Sequence, residues 1–547
     1  MKKFSSLVLL LLLVVTSVAA KDKEIKNVIL MIPDGTSWAS VSAARWFQSY
    51  NNGQLTKLNI DPYLCGSILT FCSNAPIGDS APTTSCFMTG YPSIAGWVST
   101  YPIANPENDI VPMDETKAYQ PLMTVLEAAR ITQNKSTGLV FTCEFPHATP
   151  ADCAAHSYNR SKYEWIAPQM VHNKLDVVIG GGVSILRDED KEYLKNEGYG
   201  LFLNDIDNFR TYQGNKMWAL FKDKDMSYDL DRNPAEEPSL AEMTKVAIDK
   251  LSKNTKGFFL MVEGSKVDWA AHANDPRAII SDMLSFDEAC GVAFEFAKKN
   301  QNTVVVVVPD HGNSGISIGT NRCPGYATLS KDRLFKGVSG YKASVDALIK
   351  ELHKTSPENI RAKMLELTNL SITDEEYAEL LKCGDYKLST LTDEERMKGT
   401  TLTKTVAKIL ENSTCFGFTT TGHTGEEVFL AVYDPTSNRM TGHNTNIELN
   451  HYLRKSLGLK ESLESLTDSY FAKHTSVFEG LSYSVDKSGK EPVLIVTGKN
   501  GSKLEVTPNT NIVKINNSPY ELNSVIVYVD KNDTFYLPKS LKDLINK

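Results

Sequence analysis

The sequence predicts an α/β fold: a mainly parallel central sheet flanked by helices, with a helical insertion and a small C-terminal β module. Three observations predict it. Between residues 27 and 433, short β-branched apolar runs alternate with helical patterns, as strand–helix–strand units do. The runs are almost continuously hydrophobic, which suits strands covered by helices on both faces. The pattern then changes twice, to helices alone near residue 341 and to short alternating segments near residue 479.

Taken in order, the chain opens with Lys2 and Lys3, an apolar run over residues 7–15 and a small-residue stretch ending Val18-Ala19-Ala20. This reads as a signal peptide over residues 1–20, and hence as an exported protein, periplasmic or secreted. The run is shorter than the ~20 residues of a membrane span and no later segment approaches that length, so no membrane span is expected. The predicted strands are residues 27–33, 138–143, 175–179, 257–262, 303–308 and 427–433. Residues 341–411 form the helical insertion, with capping-box signatures at Thr373-x-x-Glu376 and Thr392-x-x-Glu395. Residues 21–478 make the main domain and residues 479–547 the β module, with Asn500-Gly501 as a hairpin turn.

Bulk composition excludes some functions. A hydrophobic content of 41% supports a sizeable core, and 547 residues exceed what one small core serves. A net charge of -8 argues against nucleic acid as a partner, which needs clustered Lys and Arg. Anionic substrates stay open, because metal ions can supply local positive charge. Nine cysteines leave at least one thiol over; Cys65 with Cys72, or Cys143 with Cys153, are candidate pairs, and buried free thiols are the alternative.

Chemistry collects where open parallel sheets place ligands, beyond the carboxyl ends of the strands. The first strand ends in Asp34-Gly35, another in Glu263, and a third runs through Pro309 into Asp310-His311. Beyond Glu263, Asp268 and His272 stand at i and i+4, on one face of a helix, a spacing that lets both bind one ion. His423 adds an imidazole in the loop before the last core strand. Mixed Asp and His ligands suit zinc, and an all-oxygen set suits magnesium. Ser80, in Gly78-Asp79-Ser80-Ala81-Pro82-Thr83-Thr84-Ser85, fits a turn entering a helix, where the helix dipole favours an anion. Near neutral pH its hydroxyl needs a metal to become a nucleophile.

These motifs resemble the alkaline phosphatase family across most of residues 27–435, apart from the insertion. The resemblance implies the alkaline-phosphatase-like fold and hydrolysis of small-molecule phosphate monoesters with two zinc ions and one magnesium. By it, Ser80 is the nucleophile and Arg160 the bidentate phosphate binder, a role whose fork geometry Lys would not reproduce. Asp34 bridges the second zinc and the magnesium; Asp310 and His311 complete the second zinc; Asp268, His272 and His423 hold the first. His147-Ala148-Thr149-Pro150-Ala151 resembles the magnesium stretch, with Thr149 and Glu263 as ligands. His147 and Trp269 stand beside the site at positions where some members carry an acid and a lysine. The implied mechanism is two-step transfer through a phosphoserine. A sulfatase or a phosphodiesterase of the same superfamily is the rival reading, although Thr84 stands where a sulfatase motif has Arg. The oligomeric state stays open, with a homodimer as one option. The insertion is expected to overhang the active-site mouth.

Overall fold

The six runs expected to be buried strands lie in one sheet, and burial explains why. In the computed structural model, which describes residues 24–383 and 401–546, every residue of the first strand is buried. The predicted signal segment and the predicted Thr392-x-x-Glu395 box lie outside the described residues. The sheet comprises β1 (Asn27–Pro33), β2 (Leu64–Leu69), β3 (Ser136–Glu144), β4 (Val177–Gly181), β5 (Gly200–Leu203), β6 (Met217–Leu220), β7 (Phe258–Gly264), β8 (Thr303–Val307), β9 (Val428–Tyr433) and β10 (Gly442–Thr445). Its ten strands stand in the order β10-β2-β9-β8-β1-β7-β3-β4-β6-β5. Val28, Leu30 and Ile32 enter the core on one face while Ile29 and Met31 enter the core on the other, the period-two alternation of a strand buried twice over.

β1 pairs in parallel with β7 and β8, and β3 with β7 and β4. β9 is the exception, antiparallel to both β8 and β2. Its amino end therefore lies at the edge where its neighbours have their carboxyl ends. β2, β5, β6 and β10 are additional to the runs marked in the sequence. Three of them are only four residues long, and β2 is largely half-buried, so none carries a long apolar signal.

The insertion packs around its own core of Tyr341, Val345, Leu348, Leu352, Met364, Leu380, Val406 and neighbours. A preceding helix, Lys331–Ser339, packs Phe335 and Val338 into the main core, so the separate core begins close to the predicted boundary. The Thr373–Glu376 capping box is formed in both directions. The insertion core reaches Ala273, next to His272, and the Asp275 carboxylate accepts from Val345 N at 2.6 Å.

The two candidate cysteine pairs need correction, whereas the alternative of buried free thiols holds at Cys72, Cys143 and Cys153. The disulfide joins Cys323 to Cys415 at the base of the insertion, and Cys65, Cys72, Cys143 and Cys153 are free thiols. Local sequence proximity misled, because their side chains diverge: Cys65 Sγ faces Leu430 O and Met440 O, whereas Cys72 Sγ faces Ile77 O. Cys143 Sγ faces Glu263, and Cys153 Sγ the carbonyl of Thr149. The bridge closes a loop with a sequence separation of 92. Cys323→Ser is expected to cost about 2–4 kcal/mol. The check is denaturant unfolding of wild type and variant with and without reductant, which should abolish the difference.

The C-terminal region forms a five-stranded antiparallel sheet from Ser482–Asp486 to Ser518–Glu521 and a second, three-stranded sheet. Gly501, at φ 82°, turns the predicted hairpin. Leu494, Val496, Leu504 and Phe535 build a local core, whereas Val525, Val527, Val529 and Tyr536 belong to the main core. Among the described residues no helix is long and apolar enough to cross a membrane.

Candidate active site

Strand ends deliver the side chains. β1 terminates at Pro33, and the chain turns through Asp34 and Gly35. Gly35 sits at φ +58°, and a Cβ there would fall 2.1 Å from Asp268 Oδ1, so only glycine allows the two loops to meet. Glu263 lies within β7, which feeds the helix Lys266–His272 carrying Asp268 and His272. β8 leads into Asp310 and His311. The reversal of β9 brings His423, which precedes it, to this same edge. Opposite, the helix Ser80–Thr89 begins at Ser80 itself, with Asp79 in extended conformation at its N-cap. Ser80 is 2% exposed.

Two clusters result. In one, Ser80 Oγ is 3.3 Å from His311 Nε2 and 3.5 Å from Asp34 Oδ1. His311 Nε2 is 3.4 Å from Asp34 Oδ1 and 3.5 Å from Asp310 Oδ2. In the other, His272 Nε2 is 3.3 Å from Asp268 Oδ2, and His423 Nε2 is 3.7 Å from Asp268 Oδ1. Each imidazole turns Nδ1 to a main-chain carbonyl: His272 to Thr421 O at 2.6 Å, His423 to Gly78 O at 2.8 Å, His311 to Gly312 O at 3.1 Å. A carbonyl accepts only, so Nδ1 carries a proton, and Nε2 presents its lone pair whenever the ring is neutral. His272 Nε2 and His423 Nε2 lie 3.2 Å apart, where two lone pairs repel unless a proton or a cation lies between them.

Electrostatics point the same way. Burial, then the charges of Asp310, Asp268 and Glu263, push the Asp34 carboxyl well above its ordinary range. Burial pushes Glu263 up to about 8 and raises Asp310 as well. Asp268 goes the other way: burial opposes its charge, but His272, His423 and His311 hold it well below the usual range. Burial likewise opposes the His272 charge, and Asp268 overrides it, raising the imidazole to about 9. His423 is pushed down to about 4 by burial and by the neighbouring His311. Asp34 Oδ2, Asp310 Oδ2, Glu263 Oε1 and Thr149 Oγ1 are buried with no hydrogen-bond partner among the described residues. Buried orphaned oxygens amid crowded carboxylates fit bound cations.

Three groups each offer ligand atoms within 4.8 Å of one another: Asp268, His272 and His423; Asp34, Asp268 and His311; and Cys143, His147 and Glu263. Asp268 thus stands within reach of both imidazole clusters. Cys143 is an addition to the ligand candidates, since the sequence reading marked it only as a possible partner of Cys153; its place at the end of β3, by the strand-end rule, was the available signal. Thr149 lies on the short helix Ala148–Ala154, which follows β3. Arg160 donates from Nη1 to Asp79 Oδ1 at 2.8 Å, and its Nη2 is 3.0 Å from His147 Nε2. Burial would raise the Asp79 carboxyl, but Arg160 beside it holds it below its ordinary value. The Trp269 ring meets His147 edge-on at 5.8 Å and lies 3.9 Å from Lys266 Nζ. Lys266, which sequence reasoning passed over, is buried beneath this ring and paired with Asp225.

An edge built this way gathers candidate metal ligands around a buried serine at a helix N-terminus. A profile of the alkaline phosphatase family matches residues 25–459, and the chain belongs to that family. It is accordingly a phosphoric monoester hydrolase. Alkaline phosphatase 4 of Bacillus subtilis (strain 168) is 33% identical over 442 residues, covering 78% of this chain and 87% of the relative. The human tissue-nonspecific alkaline phosphatase is 30% identical over 338 residues, 53% of this chain and 63% of that protein. Among solved structures, the cold-active alkaline phosphatase of the psychrophile Shewanella sp. has a TM-score of 0.67 at 26% identity, covering 79% of this chain and 99% of its own. Thermus thermophilus alkaline phosphatase shares the fold at 21% identity, with a TM-score of 0.69 and coverage of 80% and 93%.

Proposed function

We propose that the chain hydrolyses phosphate monoesters in two steps through a phosphoserine at Ser80. The observation that carries this reading is Ser80 Oγ at a helix N-terminus, 3.3 Å from His311 Nε2 and 3.5 Å from Asp34 Oδ1. Asp268, His272 and His423 would hold one zinc, and Asp34, Asp310 and His311 the other. Asp34, Thr149 and Glu263 would hold magnesium. When bound, these ions supply positive charge that favours deprotonated oxygen nucleophiles and stabilises a departing alkoxide. Ser80 Oγ attacks phosphorus in line; the Oγ–P bond forms, the P–O ester bond breaks, and the alcohol leaves. Water then attacks the phosphoserine from the vacated side, returning Ser80 and releasing phosphate. Arg160, its guanidinium oriented by Asp79, grips two nonbridging oxygens in both steps. The helix dipole adds stabilisation at Ser80.

Export through residues 1–20 is part of this reading, and the Cys323–Cys415 disulfide supports it, since such bonds persist in oxidising compartments. The test combines metal analysis with turnover of an aryl phosphate, an aryl sulfate and a bis-aryl phosphate diester. Preference for the monoester with zinc and magnesium bound is expected. A diester or sulfate turned over faster would overturn it.

A further inference from the structure

The family match ends at residue 459, and the Shewanella structure covers 79% of this chain while using 99% of its own length. The C-terminal module is therefore an addition to the family's catalytic body. It docks on the segment that carries Arg160. Downstream of Arg160, the helix Tyr163–His172 receives it at two points: Gln169 Nε2 donates to Asn509 Oδ1 at 3.0 Å, and His172 Nδ1 lies 2.9 Å from Asn511 Oδ1. Lys174 pairs with Glu521 at 2.7 Å.

One contact falls much nearer the chemistry. Tyr158, two places before Arg160, donates its hydroxyl to Asp530 Oδ1 at 2.6 Å, and Lys531 Nζ stands 5.8 Å from the centre of the same ring. The ring is wedged edge-on against Trp97, Tyr119 and Trp165 at 5.9–6.0 Å. On its inner side the loop is stitched to the segment behind the Ser80 helix. Ser157 and Val98 exchange main-chain hydrogen bonds, Arg160 N donates to Gly96 O at 2.7 Å, and Gly96 N donates to Asp79 Oδ2 at 3.0 Å. Arg160 is thus tied inward through Gly96 and Asp79, while the module meets the outer face of the same loop through the Tyr158–Asp530 hydrogen bond.

We propose that Asp530, through Tyr158, is a positioning residue for Arg160, so that the C-terminal module sets how tightly the site holds phosphate. The proposal rests on the reading of Arg160 as the phosphate binder. A carboxylate accepting a phenolic hydroxyl is a charge-assisted bond, stronger than a neutral one and directional. Losing it frees the ring to slide on its aromatic neighbours and lets the guanidinium sample orientations that meet phosphate with one N–H instead of two.

The test measures KM, kcat, the inhibition constant of inorganic phosphate and the melting temperature in full-length, metal-loaded protein. Asp530→Ala and Tyr158→Phe are expected to raise KM and the phosphate inhibition constant about 3- to 10-fold, the worth of one such bond, without lowering kcat. Asp530→Asn, which keeps an acceptor oxygen, should restore most of the affinity. Unchanged phosphate inhibition in a folded Asp530→Ala, or a melting-temperature loss as its sole effect, overturns the proposal. Arg160→Ala separates the two readings. If it leaves phosphate inhibition unchanged, the assignment of Arg160 falls and this inference with it; if it weakens phosphate while Asp530→Ala does not, this inference falls alone.

Discussion

Ser80→Ala is expected to lower turnover by about three to six orders of magnitude while leaving the fold and the metal content unchanged. The neighbouring hydroxyls make this a discriminating variant. Thr83 Oγ1 is spent on Asp79 O at 2.8 Å. Thr84 Oγ1 and Ser85 Oγ are buried further into the helix with no hydrogen-bond partner among the described residues. Ser80 Oγ contacts both. The electrostatic surroundings survive the substitution, so residual hydrolysis by activated water remains. Thr84→Ala should cost far less. Acid quenching during turnover followed by peptide mapping should place phosphate on Ser80; label on Thr83, Thr84 or Ser85 would refute the assignment.

Metal removal should have the second-largest effect, on stability as well as rate. Asp34, Glu263, Asp268 and Asp310 are fully or almost fully buried, and bound cations would relieve the repulsion among their charges. An ion present at about 1,000 times its Kd contributes about 4.1 kcal/mol to the folded state. Exhaustive chelation should therefore abolish activity and lower the melting temperature, and zinc with magnesium should restore both. Full activity in a stripped sample would end the metal-dependent reading. Asp268→Ala sharpens the test, because Asp268 belongs to both imidazole clusters. It should reduce zinc per chain by more than the loss of one ligand at one site would.

Much of this site was legible because its chemistry obeys a local rule. Asp34, Glu263, Asp310 and His311 each follow or end a buried apolar run, and such runs are visible to periodicity. His423 was visible only as an imidazole in a loop; what brings it to the edge is the antiparallel course of β9, and an apolar run carries no sign of its direction. Cys323 and Cys415 escaped because their pairing spans the insertion, while the nearer pairs looked plausible by spacing alone. Asp79 was read as part of a motif, yet its grip on Arg160 depends on two segments meeting. Asp530 was least legible of all: an exposed acid in a turn gives no hint of the tyrosine it meets far along the chain.

The course of β9 has a further consequence for how such an enzyme can be altered. Because β8 leaves the sheet and β9 re-enters it at the same edge, the whole excursion from Asp310 to His423 is topologically an elongated hairpin. Its stem is pinned where Cys323 and Cys415 bring their Cα atoms to 5.6 Å. A segment with ends that close can be exchanged for another of different length without moving either strand, since closure entropy grows only slowly with loop length. The chain therefore carries an interchangeable cassette rooted between two candidate ligand positions, and a graft there is expected to leave the strands that carry those positions where they are.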